Sequence, residues 1–241
     1  MLDVTKIVGD YVAVWNEADP ARRRHRIEAL WVPDGTTCYR LLDAHGHDAI
    51  ESRVAGSWDK WLHGGHYAFR PKASVSHHDV IKCTWEMLAV PGGTVEANGL
   101  SFLVLDGQGR IRHDFQFNPS LTDGGTLVER RHAAASESEP ARRRRLVAEL
   151  WAPDGTYVTG GSASSGHAEI DTAIAAGMAD WTTRGLVLAA AVHSQSHHQV
   201  AWFQSPLQGK DSGRIGGTVS HLLRLGDDGR IGCDYAFEEP V

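Results

Sequence analysis

What this chain has little of narrows its functions first. Only three cysteines occur in 241 residues, Cys38, Cys83 and Cys233. An odd, widely spaced set without a CxxC pair builds neither a disulfide framework nor a zinc ribbon. No apolar run approaches the roughly 20 residues of a membrane-spanning helix. The opening MLDVTKIVGD holds neither an apolar signal core nor a basic leader. We therefore expect no membrane partner and a cytoplasmic location. Excess positive charge is missing too: 24 Lys and Arg stand against 30 Asp and Glu, a net charge of -6. A nucleic-acid partner would call for a basic face, so none is expected.

What is present is a repeat. PARRRHRIEALWVPDG from Pro20 returns as PARRRRLVAELWAPDG from Pro140, 120 residues on. The same offset carries Gly46-His47 onto Gly166-His167, Trp61 onto Trp181, His77-His78 onto His197-His198, and Asp114 onto Asp234. No gap is needed between about Trp15 and Asn118, so the chain is read as a tandem duplication. We expect domains over 1–119 and 120–241, each of ordinary single-domain size, joined by the polar segment 120–126.

Within one copy, Val4, Ile7, Val8, Tyr11, Val12 and Trp15 form one helical stripe. Asp19-Pro20 caps and opens a second helix with Ile27, Leu30 and Trp31 inside, and Arg22 to Arg24 on a solvated face. Pro33-Asp34-Gly35 is expected to end it as a turn. A short strand follows, then a third helix from near His47 carrying Ile50, Val54, Trp58 and Trp61. Four extended segments complete the copy, with turns at Pro91-Gly92-Gly93 and 106–109. Three helices on a curved antiparallel sheet make an α+β cone with an open mouth. In the second copy, Pro206 and the polar run after it predict a frayed strand pair.

The succession of paired helices, PDG, strand, GHxxI, HHDV and DGRI resembles the SnoaL-like branch of the nuclear-transport-factor-two-like superfamily. Ketosteroid isomerases, polyketide cyclases and limonene epoxide hydrolases are relatives. The resemblance covers both halves and implies two cone-shaped pocket domains, packed as an intramolecular pseudo-dimer that could oligomerise further. It says less about chemistry, because one fold hosts many functions. The isomerase general base would fall at Tyr39 or Thr159, neither a carboxylate. The oxyanion tyrosine matches Tyr11 and, in the second half, Arg131; its partner acid matches Ser101 and His221. Last-strand pocket positions match Asp114, Gln116 and Asn118, and Asp234, Ala236 and Glu238. The epoxide-hydrolase acid–base position matches Gln116.

Candidate catalytic residues are accordingly Tyr39, Asp114, His221 and Asp234. A carboxylate in an apolar cone has a raised pKa, as general acid–base work near neutrality requires. Asp114 and Asp234 could equally be structural acceptors duplicated with the frame. Candidate substrate-binding residues are Tyr11, Trp15, Trp58, Trp61, His66, Trp85, Ser101, Gln116 and Thr159. The paired histidines are read as turn-formers. No metal and no cofactor is expected, since His193, Gln195, His197 and His221 lack a carboxylate at ligand spacing. Two functions remain open. One is a cofactor-independent acid–base enzyme of secondary metabolism that cyclises, isomerises, dehydrates or opens the epoxide of a small apolar polyketide- or terpenoid-like substrate. The other is a non-catalytic binding or scaffold protein.

Overall fold

The computed structural model describes residues 2–119 and 125–240; most of the expected linker, 120–124, lies outside the described residues. The chain divides into two compact units, Met1–Pro119 and Ser120–Val241. Among the described residues each unit is α+β, three helices against one curved, mixed sheet.

The first unit opens with α1 (Val4–Asn16), whose first turn is capped when the Asp3 side chain accepts from the Lys6 amide. Its stripe buries Val8, Tyr11, Val12 and Trp15. In α2 (Pro20–Leu30), Asp19 accepts from the Arg22 amide and proline occupies the first turn. Then come β1 (Trp31–Tyr39), β2 (Leu42–His45), α3 (Gly46–Trp61), β3 (Tyr67–His77), β4 (Val80–Ala89), β5 (Val95–Leu105) and β6 (Ile111–Phe117). Their order in the sheet is β2-β1-β6-β5-β4-β3. The meander β3 to β6 is antiparallel as expected, while β1 joins it alongside β6 in parallel.

The second unit repeats this frame: α4 (Thr126–Ser136), α5 (Pro140–Leu150), β7 (Trp151–Val158), β8 (Ala163–Ser165), α6 (Gly166–Thr183), β9 (Leu186–Leu188), β10 (His193–His197), β11 (Val200–Gly209), β12 (Ile215–Leu225) and β13 (Ile231–Pro240). Thr126, expected in the linker, instead begins α4.

Three local expectations are corrected. Pro33-Asp34-Gly35 is no turn: β1 runs through it, with a register shift against β6 between Trp31 and Thr36. Glycine is needed there because a Cβ on Gly35 would sit 3.0 Å from the Val32 carbonyl oxygen and 3.2 Å from that of Ile111. On Gly155 it would sit 2.8 Å from the Ile231 oxygen. Nor are the arginine runs wholly solvated. Arg23 is 4% exposed and donates to Glu51 of α3 at 3.0 Å; Arg143 repeats this with Asp171 of α6 at 2.7 Å. Each ties its second helix to the third, a tie that breaking one partner would turn into an uncompensated buried charge. Finally, the β11–β12 ladder is intact through Pro206, and the break falls next door, where β9 and β10 replace the single strand β3. Pro206 accepts from the Ala189 amide but has no N–H to return, so the edge strand is interrupted opposite it.

The repeated residues hold the frame. His47 and His167 contact the Trp31 and Trp151 carbonyls from Nε2 at 3.1 and 3.0 Å. His78 and His198 occupy left-handed backbone positions (φ 52° and 48°) between consecutive strands, which fits their reading as turn-formers. No helix among the described residues is long and apolar enough to cross a membrane.

Candidate functional site

The first unit holds a cavity of about 960 Å³ between α1, α3 and the concave face of its sheet. This lies at the upper end of the usual size for small-molecule sites. Its wall is mainly apolar and aromatic. Of the expected binding residues, Tyr11, Trp15, Trp61, Trp85 and Gln116 line it, and so does Tyr39. Trp58 does not; its ring meets His63 edge-on at 5.4 Å. His66 is exposed beyond the end of α3, outside the lining.

Behind the wall lies a closed polar cluster. Asp114, on β6, is wholly buried and does not itself line the cavity. The Tyr11 hydroxyl on α1 donates to its carboxylate at 3.0 Å. Gln116, two residues along β6 and so on the same face, donates from Nε2 to Asp114 at 2.8 Å and to the Tyr11 oxygen at 3.0 Å. Ser101 on β5 is 3.0 Å from the same phenol and accepts from the Trp85 indole at 3.4 Å. Arg53 of α3 then donates to the Gln116 carbonyl oxygen at 2.9 Å, its guanidinium 5.4 Å from the Trp15 ring and 5.9 Å from the Tyr39 ring.

Burial pushes the Asp114 carboxyl up to about 7, against the opposing hydrogen bonds of Gln116 and Tyr11 and the Arg53 charge. Burial, then the Asp114 charge, holds the Tyr11 phenol well above its usual range, so it acts as a donor and not as a standing phenolate.

The second unit turns the same frame to another end. Arg131 stands where Tyr11 stands. It is 1% exposed and donates to Asp234 at 2.7 Å, while His221 contacts the other carboxylate oxygen from Nδ1 at 2.8 Å. Burial alone would raise Asp234, but the Arg131 charge and the His221 contact outweigh it and leave the carboxyl below its ordinary value. Burial keeps His221 below its usual range, hence neutral. Thr37, Cys83 and Ser101 are replaced by Tyr157, Phe203 and His221. Arg131 lies 5.3 Å from the Tyr157 ring, and Phe203 stacks on His221 at 4.5 Å. About 10 Å³ of the cavity is left, no more room than a single water needs. Thr159 turns away into the hairpin between β7 and β8, where its amide donates to the Ser162 oxygen.

Two features of the first site escape composition-level reading but leave a trace in the repeat. Arg53, three residues after Ile50 on the inward stripe of α3, aligns with Ala173. Gly99 faces Trp85 across β4 and β5, whereas Val219 faces Ser205 across β11 and β12. A Cβ on Gly99 would lie 1.9 Å from the Trp85 ring. The glycine therefore makes the floor on which the indole lies, and small and large have been exchanged across this pair.

No family model and no curated protein matches the sequence. Among solved structures, the chain is similar to a SnoaL-like family protein from Agrobacterium tumefaciens, proposed to be an isomerase. Identity is 25% over 47% of this chain and 95% of that one, with a TM-score of 0.43. It is also similar to a proposed polyketide cyclase from Sinorhizobium meliloti (15% identity, 46% of this chain and 94% of that one, TM-score 0.37). A third is an NTF2-like protein of unknown function from Exiguobacterium (16%, 48% and 99%, TM-score 0.39). Many of the matched structures are SnoaL-like, NTF2-like or ketosteroid-isomerase-like, and each of these covers about half of this chain.

Proposed function

We propose that the first unit is a cofactor-independent acid–base enzyme of secondary metabolism, acting on a small, flat, largely apolar molecule such as a polyketide- or terpenoid-like ketone or epoxide. The observation that carries this reading is a carboxyl poised near neutrality, Asp114, hydrogen-bonded to a phenol in the wall of a large apolar cavity. A group half protonated at working pH can both give and take a proton. When Asp114 is protonated, its proton passes to the phenol oxygen as Tyr11 hands its own to a substrate oxygen. The reverse shift removes a proton from the substrate. Gln116 and Ser101 hold the phenol in place, and Tyr39 on β1 offers a second donor to the same space. Such a relay serves cyclisation, isomerisation, dehydration and epoxide opening alike.

The second unit supports the non-catalytic reading for itself alone. Its aspartate is locked to Arg131, and Arg131, Tyr157 and His221 close around what remains, about 10 Å³.

The test is deuterium exchange from D2O into the α-positions of a panel of polyketide-derived ketones and enones, followed by mass spectrometry. Wild-type protein should accelerate exchange, Asp114→Asn and Tyr11→Phe should each lose about 10²-fold or more, and Asp234→Asn, where it folds, should exchange as wild type. Exchange that survives both first-unit substitutions would overturn the assignment.

A further inference from the structure

The first-unit cavity carries positive charge that the polar cluster does not consume. Arg53 makes no ion pair among the described residues: its hydrogen-bond partner is the neutral Gln116 amide, and its Nε is buried without an acceptor. A guanidinium in an apolar wall without a paired carboxylate offers an anchor to an anionic group. Lys60 lies seven residues on, two turns along the same face of α3, also lines the cavity, and rests over the Trp61 ring at 4.6 Å. The Arg53 guanidinium itself lies 5.4 Å from the Trp15 ring, which also lines the cavity. The carboxylate of the lining, Asp43, is engaged by His45 at 2.8 Å and Cys38 at 3.4 Å. In a chain of net charge -6, this concentration of donors is local. The second unit has no counterpart: Arg53 aligns with Ala173 and Trp15 with Ala135.

We infer that the ligand of the first unit is an organic acid: a flat conjugated molecule whose carboxylate seats on the Arg53 guanidinium, with Lys60 along the same face of α3, and whose rings lie against Trp85 and Phe69. The planar guanidinium presents parallel N–H groups that suit a carboxylate. Trp85 and Phe69 meet edge-on at 5.3 Å, and Gly99 beneath the indole keeps that face flat. The anchored carboxylate lies on the Gln116 side of the cavity, which brings the atoms next to it toward the Tyr11 hydroxyl. This inference rests on the proposed function for the site's location, but concerns what the site selects.

Isothermal titration calorimetry of the full chain with anthraquinone-2-carboxylate and its neutral 2-carboxamide tests it. The acid should bind about 10-fold or more tighter than the amide, and raised salt should narrow the gap. Arg53→Met should bring the ratio to about one, and Arg53→Lys should restore part of it. Equal or tighter binding of the amide to wild type, binding of neither, or an unchanged ratio in Arg53→Met would overturn the inference. The wild-type comparison stands even if a variant fails to fold. Proton exchange of neutral ketones without preference for the acid would defeat the anion site and leave the catalytic reading standing. Acid preference without any exchange would do the reverse.

Discussion

Asp114 and Asp234 are one residue duplicated into opposite electrostatic states. Asp114 is buried among neutral donors, so its folded pKa of about 7 lies above the 3.8 of an unperturbed side chain. The unfolded chain therefore gives up this proton first as pH rises. The first unit is most stable, with respect to this group, below pH 4 and loses that stability between pH 4 and 7. The loss is on the order of 4 kcal/mol. Asp114→Asn carries no such loss. Denaturant unfolding followed by tryptophan fluorescence should find this variant more stable than wild type at pH 8 and similar to it at pH 4. Asp234→Asn should behave the other way, costing about 3–5 kcal/mol near neutrality by stranding the Arg131 charge in the interior. Both aspartates were visible in the sequence as a repeated position. Their difference was not, because it depends on what the first helix of each unit places opposite them, Tyr11 or Arg131.

At the scale of elements, the helices and meander were legible because each carries one clear period and its own caps: Asp19-Pro20 before α2, the paired histidines between β3 and β4. The passage through Pro33-Asp34-Gly35 was not, since local turn chemistry gave way to the parallel pairing of β1 with β6. The fate of Arg23 was hidden for a similar reason. Its partner Glu51 is on another helix, and sequence spacing shows only neighbours on the same one. Cavity shape depends on a cross-strand pair, Trp85 with Gly99. Gly99→Val, which copies the second unit at one position only, should push the indole into the cavity. Calorimetry with anthraquinone-2-carboxylate should show affinity falling about 10-fold or more, as expected when a packed ring is displaced. Adding Trp85→Ser, which completes the second-unit pair, should relieve the clash and recover stability.

At the scale of the molecule, duplication supplied two copies of a frame and substitution left one open. The cavity residues Arg53, Trp15, Trp85 and Tyr11 all differ between the copies, so the symmetry breaks marked the site better than the shared motifs did. Ligand binding should accordingly be one-sided. Hydrogen exchange with and without anthraquinone-2-carboxylate should show added protection in α1, α3 and β4 to β6, and none in α5, α6 or β11 to β13.

The central claim is that one carboxyl of the pair exchanges protons near neutrality while its copy does not. It is tested most directly by NMR titration of 13Cγ-labelled aspartate, with Asp114→Asn and Asp234→Asn used to assign the two signals. The expected result is a midpoint near 7 for Asp114 and an Asp234 signal that titrates below the ordinary aspartate range. An Asp114 signal titrating in the ordinary aspartate range, or the two signals titrating together, would contradict it.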